Sequence, residues 1–72
     1  MKIGDEKTMI EIINEIADGK IKKDLELHYE WGLRYRLFID DLKLIAYNGT
    51  GLRIGKVLND KFKLYGYYKK EE

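Results

Sequence analysis

The apolar pattern of the chain changes period at Gly19, and that change limits the folds open to it. Before Gly19, Met9, Ile10, Ile12, Ile13, Ile16 and Ala17 recur at the spacing of one helical face, with Glu11, Asn14, Glu15 and Asp18 opposite. After it, apolar and polar residues alternate, as in strands with one covered and one open face. The helix is expected over about residues 6–18. Asp5, with Glu6 in the favourable first turn, and Thr8, with Glu11 at capping-box spacing, compete as its N-cap. Gly19 suits the left-handed C′ position, and Lys20, Lys22 and Lys23 follow near the negative end of the helix dipole.

Four strands are expected between residues 24 and 68. Leu25, Leu27, Tyr29 and Trp31 form the inner set of the first, Leu33, Tyr35, Leu37 and Ile39 that of the second. Leu42, Leu44 and Ala46 belong to the third, and Phe62, Leu64, Gly66 and Tyr68 to the last. Cross-strand neighbours point to the same side of a sheet, so parity constrains the turns. A two-residue turn at Asp40-Asp41 pairs Ile39 with Leu42, Leu37 with Leu44 and Tyr35 with Ala46. A three-residue loop from Trp31 to Leu33 pairs Tyr29 with Tyr35 and Leu27 with Leu37, setting Glu30 opposite Arg34 and His28 opposite Arg36. Asn48-Gly49-Thr50-Gly51 reads as a loop. Leu52 and Ile54 suit a short strand, and Val57 and Leu58 a cover for the open end of the core. The tail, residues 69–72, is expected to fray.

The fold class that follows is α+β, a single domain with one N-terminal helix packed on a four-stranded, mainly antiparallel sheet. With 72 residues, 44% of them hydrophobic and 38% charged, the chain has little core to spare. A domain of this size buries only about 60% of the surface its unfolded chain exposes, so a homodimer is one expectation. The net charge of +1 speaks against a strongly basic nucleic-acid protein. The absence of cysteine excludes disulfides, thiolate chemistry and cysteine-based zinc sites. No apolar run approaches the roughly 18 residues of a membrane span and no signal-peptide core opens the chain, so a cytoplasmic protein without membrane contact is expected.

Serine is absent too, which leaves Thr8, Thr50, lysines and carboxylates as nucleophiles and His28 as the one imidazole. Thr8 reads as a helix cap, Thr50 and the Asp40-Asp41 pair as turn residues. Glu26, His28 and Glu30 share one strand face at alternate positions, a spacing at which all three could approach an ion. Arg34 and Arg36 opposite them would repel a cation, and the trio reads as a solvated face paired across the hairpin. Gly49, Gly51 and Gly55 match neither phosphate-loop signature. No catalytic residue, metal or cofactor is assigned, and a non-enzymatic protein is expected.

The outward set is the more informative one. Arg34, Arg36, Phe38, Tyr47, Tyr65 and Tyr67 alternate with the inner residues and are the candidate binding residues, flanked by Lys43, Ile45, Lys61 and Lys63. Residues 1–18 hold two lysines against five acids, and residues 19–70 hold twelve basic residues against six acids. An acidic helix is thus backed by a cationic, tyrosine-rich sheet. Tyrosine and arginine are enriched among residues that anchor protein contacts. The alternatives for the same face are single-stranded nucleic acid, held by stacking and phosphate neutralisation, and a structural role with self-association.

Two stretches carry a resemblance. Met9-Ile10-Glu11-Ile12-Ile13, followed by Ala17-Asp18-Gly19-Lys20-Ile21, is similar to the opening helix and its exit into the sheet in a group of small phage and prophage proteins of low-GC Gram-positive bacteria. Val57-Leu58-Asn59-Asp60-Lys61-Phe62 resembles that group's segment before the last strand, and the abundance of lysine, isoleucine and tyrosine fits a low-GC source. The chain differs from the group at Lys63, Tyr65, Tyr67 and Tyr68, where the closing strand is otherwise more acidic. The resemblance implies an accessory protein acting in the host cytoplasm by binding a host protein, including components of antiviral defence.

Overall fold

The change of period at Gly19 is built as a helix stop. Gly19 has φ +75°, its N–H donates to the Ile16 carbonyl at 3.1 Å, and the Lys20 N–H donates to the Glu15 carbonyl at 2.9 Å. This is the Schellman arrangement, which satisfies carbonyls the helix leaves open. The structure is a computed structural model and describes residues 1–30 and 32–68. Trp31, assigned above to the inner face, and the tail at 69–72, expected to fray, lie outside the described residues.

Helix α1 spans Met9–Ala17, and the competition for its N-cap goes to Thr8. Thr8 Oγ1 accepts from the Glu11 N–H at 3.4 Å and Glu11 Oε1 accepts from the Thr8 N–H at 3.0 Å, the reciprocal capping box. The donation from the Thr8 N–H holds the Glu11 carboxyl below the usual carboxylate range. The next orphan donors, Met9 and Ile10 N–H, reach the carbonyls of Asp60 and Leu58 at 3.2 and 3.0 Å. Helix entry is therefore tied to the segment that precedes the last strand.

The sheet departs from the expected four strands. Six are present: β1 Glu6–Thr8, β2 Asp24–Tyr29, β3 Arg34–Phe38, β4 Lys43–Ala46, β5 Gly51–Leu52 and β6 Lys61–Tyr68, in the order β1-β6-β2-β3-β4-β5 with every neighbouring pair antiparallel. The expected α+β arrangement of an N-terminal helix on four strands is thus corrected twice. A strand precedes the helix where helix was expected from residue 6, and the short strand that Leu52 and Ile54 suited forms as β5 over Gly51–Leu52, with Ile54 left in a 3₁₀ turn. Both are short edge strands, and β1 has no alternating apolar residues to leave a period-2 trace. Asp5 is free to lead into β1 because Thr8 caps the helix. Its carbonyl accepts from the Leu64 N–H at 2.9 Å, starting the pairing with β6.

The β3–β4 pairing agrees with the parity analysis at Leu37↔Leu44 and Tyr35↔Ala46. The ladder stops at Phe38↔Lys43, so Ile39 and Leu42 belong to the connection, where Leu42 takes a left-handed φ of 51°. The β2–β3 register differs by two residues from the expected one. Leu27 faces Tyr35, Leu25 faces Leu37, Glu26 faces Arg36 and His28 faces Arg34. The Tyr29 N–H donates to the Leu33 carbonyl at 2.9 Å and the Gly32 N–H, at φ +127°, to the Tyr29 carbonyl at 2.9 Å. The turn therefore closes one residue earlier on each side. Because the slip is even, each residue keeps its face, and only the partners change.

In β6 the faces themselves change. Leu27 aligns with Leu64, yet Glu26 aligns with Gly66, so Tyr65 and Gly66 together oppose one residue of β2. This is a β-bulge, which advances one strand by a residue and reverses the parity of everything beyond it. Tyr67 then aligns with Leu25 on the helix side, and Tyr68 with Asp24 on the far side. The expectation that Gly66 and Tyr68 point inward and Tyr67 outward is overturned. Tyr67 donates its hydroxyl to the Met1 carbonyl and lines a hollow of about 280 Å³ with Lys20, Ile21, Lys22 and Lys23.

One face of the sheet is sealed against α1. Met9 and Ile12 meet Leu25, Leu27, Leu37, Leu44, Phe62 and Leu64, all fully buried, with Ile13 and Ile16 half-buried beside them. Ile10, assigned to this stripe by spacing, is 44% exposed. Val57 closes one end after the 3₁₀ turn Ile54–Lys56, as expected. Tyr29 ties that end together: its ring stacks on Phe62 at 4.8 Å and its hydroxyl donates to Asp60. The hydrogen bond to the Asp60 carboxylate, with burial second, pushes the phenol up to about 12.

Two outcomes follow. Thr8→Ala should lower the unfolding free energy by about 1 kcal/mol in urea titration, with the sheet retained. The raised Tyr29 phenol contributes stability that is complete below its unfolded value of about 10 and is lost as pH rises toward 12. Urea midpoints measured from pH 8 to 11 should fall above pH 10, and less steeply in Tyr29→Phe.

Candidate functional site

An antiparallel sheet covered on one face presents the other to solvent, where residues two apart on a strand and opposite each other across strands are neighbours. Here that lattice sorts into two halves of different character.

The first half is closed on itself. Asp24 is buried at the start of β2, its Oδ1 accepting from the Ile39 N–H at 3.1 Å and its Oδ2 from Arg36 Nη2 at 3.0 Å. The Arg36 guanidinium lies 4.6 Å from the Phe38 ring centre and 4.2 Å from that of Tyr68. A cation held between two rings and a carboxylate is desolvated on most sides, where such contacts are strongest. The Tyr47 and Tyr68 hydroxyls share a hydrogen bond across the face. Desolvation, followed by hydrogen bonding to Glu26 and to Tyr68, raises the Tyr47 phenol well above its ordinary value. Its ring stays 59% exposed, so only the hydroxyl end is enclosed.

The second half is open. Arg34 Nη1 sits 3.6 Å from Glu26 Oε1 and its guanidinium 4.9 Å from the Tyr65 ring centre, with 55% of the side chain exposed. Tyr65 tilts against His28 at 5.5 Å between ring centres and is itself exposed. Leu33 is half exposed at the entry to β3. Beside it Gly32, Leu33, Arg34, Ala46, Tyr47 and Asn48 surround a shallow hollow of about 280 Å³.

Of the six residues picked out by alternation, Arg34, Arg36, Phe38, Tyr47 and Tyr65 share this face. Tyr67 does not, because the bulge carries it to the helix side. There, burial and then the Glu15 and Asp5 carboxylates push its phenol up. Two participants escaped the pattern: Tyr68 and Asp24. For Tyr68 a signal existed, since a glycine inside a strand often marks a bulge, and Gly66 sits between Tyr65 and Tyr67.

The trio Glu26, His28 and Glu30 is dispersed by other partners. Glu26 meets Arg34, His28 Nε2 lies 3.1 Å from the Gly32 carbonyl, and Glu30 Oε1 accepts from the Lys61 N–H at 3.4 Å. Glu30 does not face Arg34, nor His28 Arg36, as the register shift requires. Among the described residues no group of three or more histidine, aspartate or glutamate side chains is placed to hold a metal ion. Thr50 is a turn residue, its N–H donating to Asn48 Oδ1 at 3.0 Å. No helix among the described residues is long and apolar enough to cross a membrane.

Comparison of the chain with protein-family models, curated proteins and solved structures finds no match.

The two arginines should separate in a stability measurement. Arg36→Ala leaves Asp24 buried beside its one remaining partner and should cost about 2 kcal/mol in urea unfolding, whereas Arg34→Ala should cost under about 1 kcal/mol. Equal costs would contradict the division into closed and open halves.

Proposed function

We propose that this chain is a non-enzymatic binding module of phage or prophage origin that acts by covering a surface of a host protein. The observation that carries this reading is the open half of the outer sheet face. Tyr47 and Tyr65 are exposed together there, beside an arginine with unused donors, and Leu33 is half exposed at the adjoining end of β3. Rigid aromatic rings lose little entropy on binding and supply much of the energy at protein interfaces. The closed half supports the reading as a platform, since Asp24, Arg36, Phe38 and Tyr68 fix the backbone from which the contact residues project. Origin rests on the resemblance of residues 9–21 and 57–62 to the phage and prophage group.

Arg34 already lies over the Tyr65 ring, occupying part of the surface on which a base would stack, so a protein is favoured over single-stranded nucleic acid. Affinity capture of the tagged chain from host lysate, with and without nuclease, tests the choice. One stoichiometric protein that survives nuclease and is lost with Tyr65→Ala or Tyr47→Ala is expected. Capture that disappears with nuclease, or retention that falls steeply with salt as phosphate contacts require, would assign the face to nucleic acid instead.

A further inference from the structure

The open half carries more than exposure, because it has a shape and a charge. The hollow of about 280 Å³ lies at the end of the β3–β4 ladder, where Arg34 and Tyr47 stand opposite each other one step beyond the Tyr35↔Ala46 pair. Leu33 and Ala46 give it apolar walls, and Asn48 and Arg34 a polar rim. Its volume lies below the roughly 300–1,000 Å³ of sites that enclose whole small ligands, and suits one large apolar side chain.

The hollow has spare hydrogen-bond donors at its rim. Glu26 is matched by Arg34 through a single long contact, which leaves guanidinium donors unused. Lys63 projects from β6 opposite His28 in the same cross-strand row, and Lys61 follows it. Both are exposed, with Glu6 across the β1–β6 ladder from Lys63 and the Glu30 carboxylate at the Lys61 N–H. The carboxylates of Asp24 and Glu26 are thus answered within the face and Glu6 and Glu30 lie beside the two lysines, whereas Arg34, next to the hollow, keeps donors to spare. A planar guanidinium with free donors is suited to a carboxylate, which it can bind through two parallel hydrogen bonds.

We propose that the partner docks through an acidic-apolar segment of polypeptide: a large apolar side chain enters the hollow between Leu33 and Tyr47, and a carboxylate next to it is taken by Arg34. This rests on the binding-face reading and adds the chemistry of the partner.

The test uses the isotope-labelled full chain and three probes followed by amide shifts. These are the capped peptide Gly-Asp-Phe-Glu-Gly, its counterpart Gly-Lys-Phe-Lys-Gly, and an oligothymidine of about fifteen units. The acidic peptide should shift Leu33, Arg34, Ala46 and Tyr47 while Lys20, Lys22 and Lys23, which line a hollow of similar volume but offer no guanidinium fork, stay unmoved. Arg34→Gln should weaken it by about tenfold with the native shifts elsewhere preserved. Equal binding of the basic peptide, shifts centred on Lys20–Lys23, an unaffected Arg34→Gln, or tighter binding of the oligothymidine at the same residues would each overturn the proposal. A captured partner that depends on Tyr65, together with no binding of the acidic peptide, would overturn the segment chemistry and leave the binding face standing.

Discussion

The β-bulge at Tyr65-Gly66 decides what each face of this sheet is made of. A strand has a side-chain period of two, so one extra residue moves every later side chain to the opposite face. Without that residue, Tyr68 would turn toward the helix and Arg36 would lose one of its two rings. With it, β6 contributes Phe62 and Leu64 to the core, Tyr65 and Tyr68 to the outer face, and Tyr67 to the helix side. The bulge falls within the most extensively paired strand, bonded to β1 on one side and β2 on the other, which fixes its position.

A small domain with one helix must find stability beyond its core, and here polar contacts at the margins supply it. The capping box at Thr8, the carbonyls of Leu58 and Asp60 under the first helical turn, and the Tyr29–Asp60 bond form one continuous set. It joins α1, β2 and the approach to β6. On the other face, Asp24 links the start of β2 to the end of β3 through both Arg36 and the Ile39 backbone. Asp24 therefore does for the outer layer what the apolar cluster does for the inner one.

Much of this was legible from residues alone. Gly19 ends the helix, Thr8 and Glu11 form the cap their spacing suggests, and the inner residues of β2, β3 and β4 point where alternation puts them. The failures have a shared cause. Glu6–Thr8 is an edge strand set by pairing with the distant β6, which leaves no local period, whereas the short strand suited to Leu52 is present as Gly51–Leu52. The two-residue slip between β2 and β3 preserves parity, so apolar pattern could not distinguish it from the true register. In the candidate site, five of six chosen residues lie together because parity held up to Leu64. Tyr67 was exchanged for Tyr68 because an inserted residue is invisible to a rule that counts by twos, with Gly66 its only mark.

The exchange of those two tyrosines can be observed directly. Side-chain nuclear Overhauser effects measured on the full chain should connect the Tyr68 ring to Arg36 and Tyr47, and the Tyr67 ring to Ile21 and Met1. Contacts from the Tyr67 ring to Arg36, with Tyr68 facing the helix, would remove the bulge and with it the division of the outer face described above.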